Sequence, residues 1–210
     1  RWQMQLQSPF AVVTPTLDGE VLTVLARVET SMTVGQVGSL LLHRSNEGIR
    51  KALHRLNAQG IVTSERVGTS VGHRLNRRHL AAPQVVAIAR LRDTLVERMQ
   101  GSLKAWPTPP PWAALFGSAA RGEMRIDSDI DLFIVDPGVD GESWETWTGE
   151  FSADVSAWTG NDLRILSLTD EEVRLGAAKR DPIIESLLAD ALVVAGPADW
   201  LRRTVRAARR

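Results

Sequence analysis

The 210-residue chain contains no cysteine and no tyrosine. Without cysteine there is no disulfide framework, no thiolate zinc site and no cysteine nucleophile. Net charge of one sign is also missing, since 25 Lys and Arg face 25 Asp and Glu. Long apolar runs are absent: stretches such as 191–195 fall far below the roughly 18 residues a membrane span needs. The opening RWQMQLQS lacks the apolar core of a secretion signal. These absences set aside secreted, disulfide-stapled and membrane-spanning classes, and the expectation is a cytoplasmic protein with no membrane partner. What is present is an ordinary globular composition, 43% hydrophobic, long enough for one or two domains with cores of their own.

The neutral total conceals a division. Residues 1–82 hold ten basic against five acidic groups and all four histidines, whereas 83–210 hold 15 basic against 20 acidic. A basic first part suits a polyanion, and an acidic second part suits metal or cationic ligands.

Apolar positions 17, 21, 22, 24, 25 and 28 form a helical stripe after Thr16, and a second short helix is expected over 33–42. Ser45 is a good N-cap for a third helix with apolar positions 49, 52, 53 and 56, ended by Gly60. The pattern then alternates: 61–67, a turn at 68–70 and 71–75 read as a β-hairpin. Three short helices and a hairpin resemble the winged helix-turn-helix of transcriptional regulators, over about 9–80. A helix placed in the major groove needs base-reading side chains near its N-terminus and cations for phosphate. Ser45, Asn46, Arg50, Lys51 and His54 supply the helix set, and Arg66, Thr69, Ser70, His73 and Arg74 supply the wing. The resemblance implies binding to double-stranded DNA, while the same module also serves protein interaction or dimerisation.

A further helix is expected over 84–103, suited to connecting domains or forming a homodimer. The segment KAWPTPPPW at 104–112 contains four prolines, which favour an extended linker. The expected division is therefore 1–82 for the winged helix, 83–111 for linker helix and proline linker, and 112–210 for a second domain.

Beyond the linker an apolar strand runs into Gly117-Ser118, a short helical turn follows, and a second apolar strand begins with Asp129 and Asp131. Side chains alternate along a strand, so the two carboxylates share a face. Carboxylates that close repel unless a cation lies between them, and a hard divalent ion is the natural occupant. Gly117 lets backbone amides approach a phosphate, Ser118 adds a hydroxyl, and Arg121 adds a positive charge one turn on. Phosphate cradle and metal carboxylates on neighbouring elements are what nucleotidyl transfer requires.

The string GSAARGEMRIDSDIDL resembles the signature of the nucleotidyltransferase superfamily that includes DNA polymerase beta, and in particular its minimal, antitoxin-like bacterial members. The resemblance spans about 112–196. It implies that Gly117, Ser118 and Arg121 bind nucleotide, that Asp129 and Asp131 bind Mg²⁺ or Mn²⁺, and that a nucleoside triphosphate, ATP first, is substrate or ligand; Asp127 also matches the motif. Active members place a third carboxylate on the strand after the connecting helix. Here that strand is GNDLRIL, which offers Asp162 as the third catalytic carboxylate, a metal ligand or the base for the attacking hydroxyl; Arg164 shares its face by the two-residue period, and the expected position could equally fall at the arginine.

The expected architecture is α/β of the α+β type: an N-terminal winged helix, then a nucleotidyltransferase-like mixed sheet flanked by helices. The expected function is transfer of a nucleoside monophosphate to a hydroxyl of a protein or RNA acceptor, linked to DNA binding. The alternative is a regulator or antitoxin whose degenerate site only binds nucleotide or a partner. Tyrosine automodification is excluded because the chain has no tyrosine.

Overall fold

A computed structural model describes residues 2–125 and 127–210. Packing divides the chain into two compact units: Ser8–Arg92, and a second made of Asp93–Arg210 together with the N-terminal residues up to Gln7.

The first unit begins with a 3-10 turn, Pro9–Val12, followed by α1 (Leu17–Ala26), α2 (Val34–Leu40) and α3 (Asn46–Ala58). Thr33 and Gln36 cap α2 reciprocally, side chain to backbone in both directions. The Ser45 hydroxyl accepts from the Gly48 N–H and starts α3. Strands β1 (Val62–Val67) and β2 (Ser70–Leu75) pair antiparallel, and Met32 adds a bridge to His73. Gly68 sits in the hairpin turn at φ +62°, where a side chain would be strained. Val21, Leu25, Val37, Ile49, Leu53, Val62 and Leu75 build one core, and α4 (Ala82–Ala89) closes it with Val85 and Ala89.

The sequence pattern predicts one helix over 84–103; the structure has two, breaking at Arg90 before α5 (Leu91–Lys104). The physical reason is that the stripe serves two cores. Val85 and Ala89 bury in the first unit, whereas Leu95, Met99 and Leu103 bury in the second.

The second unit runs β3 (Ala113–Phe116), α6 (Gly117–Arg121), β4 (Ile130–Val135), α7 (Gly141–Thr159), β5 (Leu163–Leu168), α8 (Asp170–Lys179), α9 (Pro182–Asp190), β6 (Leu192–Ala195) and α10 (Trp200–Ala208). Its sheet has the order β5-β4-β3-β6, with β4–β5 parallel and the other pairs antiparallel. Alternation splits β4 between two cores. Ile130, Leu132 and Ile134 pack with Leu6, Met99, Phe151 and Val155; Phe133 and Val135 pack with Trp112, Val173, Ile184 and Leu201. Trp112 is fully buried and stacks on Trp200, so this part of the tryptophan set is core. No helix among the described residues is long and apolar enough to cross a membrane.

Candidate functional site

The C-terminal end of β3 and the N-terminal ends of β4 and β5 meet at one end of the sheet, because β3 runs against β4 and β4 runs with β5. Asp131 stands in register between Phe116 and Arg164. On the same side of the sheet, an Arg164 guanidinium nitrogen lies 2.6 Å from an Asp129 carboxylate oxygen. The Arg164 side chain is 73% exposed and that of Asp129 20% exposed, so the pair lies at the rim.

Gly117 adjoins this row, and two features of its position favour glycine. Its φ is +67°, and a Cβ there would fall 2.7 Å from Asp131 Oδ2. Burial pushes the Asp131 carboxyl above its ordinary range, Arg164 pulls it down, and the neighbouring Asp129 adds a smaller upward push. Asp131 is thus a partly desolvated carboxylate that gains from an added cation.

Two hard oxygen donors on one face fit a single divalent ion. They do not form a larger ligand set. Among the described residues no cluster of three or more Asp, Glu or His side chains is found. The position opposite Asp131 on β5 carries Arg164, one of the two positions at which the third carboxylate was open. Asp162 precedes β5, and its backbone carbonyl accepts from the Ile130 N–H at 2.8 Å.

Arg121, expected as a nucleotide contact, stands at the end of α6 beside two acidic side chains. Its guanidinium donates to Glu123 at 2.8 Å and to Asp190 at 3.4 Å, and these partners raise its pKa. Ser118 follows Gly117 on the five-residue helix α6 and is half-buried. Asp127 is exposed.

In the first unit, the residues expected to meet DNA lie on α3 and the hairpin. Their charges are largely paired internally. Arg50 and Lys51 both reach Glu47, at 2.6 and 3.7 Å, and Arg74 lies 3.8 Å from Glu65. Asn46 leans on α2, with Oδ1 2.6 Å from where a Gly38 Cβ would stand. His54 and Arg66 are exposed. Burial lowers the His73 pKa, and its Nδ1 lies 2.9 Å from the Ser64 hydroxyl, so it is not a ready cation. Arg44 and Arg55, outside the expected set, pair with Glu20 and Asp18. The Arg55–Asp18 pair joins α3 to α1, a contact that the linear order does not show.

Residues 110–189 match the family model described as nucleotidyltransferase domain, a stretch that runs from β3 to α9. No curated protein matches the chain. Two solved structures are similar at low level: a toxin–antitoxin with AMP-PNP, at 13% identity and TM-score 0.40, and a mutant of the toxin–antitoxin MntA–HpeT, at 11% identity and TM-score 0.39. Each covers 54% of this chain and 82% of its own.

Proposed function

We propose that the C-terminal unit binds a nucleoside triphosphate with one Mg²⁺ or Mn²⁺ and holds it without transfer, as the sensing part of a DNA-binding regulator. One observation carries this reading: Arg164 occupies the β5 position opposite Asp131 and is paired to Asp129. Asp129 and Asp131 hold the ion. The Gly117 backbone and Ser118 hydroxyl approach the triphosphate, and Arg164 swings from Asp129 to a phosphate oxygen, supplying fixed positive charge in place of a second metal. A divalent ion, when bound, neutralises triphosphate charge. Arginine cannot accept a proton from an attacking hydroxyl, so no group in that position activates an acceptor. Three helices, a hairpin and the Met32–His73 bridge support a winged helix-turn-helix as the DNA-binding part.

The test is incubation with labelled ATP, GTP, CTP and UTP plus Mg²⁺ or Mn²⁺, alone and with protein and RNA acceptors. Metal-dependent binding of ATP without label transfer is expected. Transfer lost in Asp162→Ala would overturn the sensor reading and establish the transferase. That second reading rests on the sequence spacing: Asp162 stands two residues before Arg164 and immediately ahead of β5, where an extended chain would turn both side chains the same way.

A further inference from the structure

Asn161 is fully buried and polar, at the corner where α7 turns into β5. Every polar group it carries has a partner. Its side-chain oxygen accepts from the Met4 N–H at 3.0 Å and its side-chain nitrogen donates to the Ser128 carbonyl at 2.8 Å. Its backbone N–H donates to the Thr159 hydroxyl at 3.2 Å, and its carbonyl accepts from the Ser156 hydroxyl at 3.0 Å. The orientation of the amide follows from the partners, since a backbone N–H can only donate and a carbonyl can only accept.

The Ser128 carbonyl belongs to the peptide that carries Asp129, and the next amide is held as well: the Ile130 N–H donates to the Asp162 carbonyl at 2.8 Å. Asp129 therefore sits between two backbone anchors, both supplied by consecutive residues 161 and 162. The segment before it is pinned too, the Ser128 hydroxyl accepting from the Arg125 N–H at 2.7 Å. On the other side of the corner, Gly160 takes φ +72° and a Cβ there would collide with the Trp2 carbonyl at 2.1 Å. The N-terminal strap of residues 2–7 thus lies against the corner, with Leu6 fully buried below the sheet.

We infer that Asn161 is the positioning residue of the metal site: its side-chain amide fixes the Ser128–Asp129 peptide so that the Asp129 carboxylate meets Asp131 around one divalent ion. This rests on the reading of Asp129 and Asp131 as metal donors. No other side chain fits both partners. Aspartate keeps an acceptor for Met4 but sets a carboxylate against the Ser128 carbonyl, leucine supplies neither bond, and glutamine is one methylene too long for a fully buried site.

The probe is Mn²⁺ alone, followed by electron paramagnetic resonance on the full chain, with melting temperature and amide hydrogen exchange recorded on the same samples. Asn161→Asp is expected to weaken Mn²⁺ about 10- to 100-fold, the range found when groups that orient metal ligands are removed, and to speed exchange at Asp129 and Ile130. Met4→Pro removes the N–H shared by Thr159 and Asn161 while leaving the Ser128 bond. It is expected to lower the melting temperature but to leave Mn²⁺ affinity within about threefold. Should Asn161→Asp not fold, the smaller polar Asn161→Ser carries the same comparison. Wild-type Mn²⁺ affinity and wild-type exchange at 129–130 in a folded Asn161 variant would overturn the inference. So would equal Mn²⁺ loss in Met4→Pro, which would make the role merely structural. Absence of Mn²⁺ binding by the wild type would instead overturn the metal reading of Asp129 and Asp131, with the exchange rates still deciding whether Asn161 fixes that peptide.

Discussion

Replacing Arg164 by alanine should move two affinities in opposite directions. The Arg164–Asp129 pair is 2.6 Å long but its arginine is 73% exposed, and exposed pairs contribute about 0.2–1 kcal/mol. Losing it should therefore lower the melting temperature by at most about 4 °C, since about 1 kcal/mol corresponds to about 2–4 °C in domains of 150–250 residues. The same pair must break before an ion can sit on Asp129. Its removal should tighten Mg²⁺ alone by up to about fivefold, the factor equivalent to about 1 kcal/mol. For ATP at saturating Mg²⁺ the sign reverses. A charge-assisted hydrogen bond to phosphate is worth about 1.5–3 kcal/mol, so ATP should bind about 10- to 100-fold more weakly. Arg164→Lys keeps the charge but loses the two-pronged donor geometry, and should recover part of the ATP affinity. Isothermal calorimetry with MgCl₂ and then with ATP at fixed Mg²⁺ measures both quantities. An ATP affinity within about twofold of wild type in Arg164→Ala would refute the assignment of Arg164 to the triphosphate, and weaker Mg²⁺ binding would refute its competition for Asp129.

Because burial raises the Asp131 carboxyl above its ordinary range, ionising it opposes folding. The penalty sets in as pH rises above the unfolded value and is complete above the folded one, so Asp131→Asn should gain stability over wild type as pH climbs through that interval; chemical denaturation at several pH values checks this. Wild-type Mg²⁺ affinity should fall as pH is lowered through the same interval, since the ion competes with a proton there. Gly117→Ala should destabilise by about 1–2 kcal/mol from its left-handed backbone alone. It should also displace the Asp131 carboxylate and abolish metal-dependent ATP binding, with circular dichroism melts and calorimetry as the readouts. Full-length protein should bind duplex DNA with an affinity falling steeply as salt rises, and Arg50→Ala with Lys51→Ala should flatten the slope by about one unit per lost phosphate contact. No binding to any duplex at low salt would remove the DNA part of the proposal.

The sequence by itself determined the local pieces. The spacing of Asp129 and Asp131 places both on one strand face because the strand period is two, whatever the fold. Gly117 before Ser118, the caps at Thr33 and Ser45, and the alternation of 61–75 are equally local signals, and the elements appear where those signals lie. Tertiary structure decided the rest. Both Asp162 and Arg164 were legible as candidates for the third position. Which one stands opposite Asp131 depends on the β4–β5 register, a non-local pairing in which a slip of one residue would turn every side chain over. The stripe over 84–103 looked continuous because periodicity records that residues are buried and not in which core they are buried. The apolar run at 191–195 gave no sign of becoming β6, since a strand that short takes its identity from the partner it pairs with. Asn161 was invisible for a related reason. A buried amide matters through the groups it bridges, here Met4 and Ser128, which lie 157 and 33 residues away along the chain and meet only when the sheet has formed.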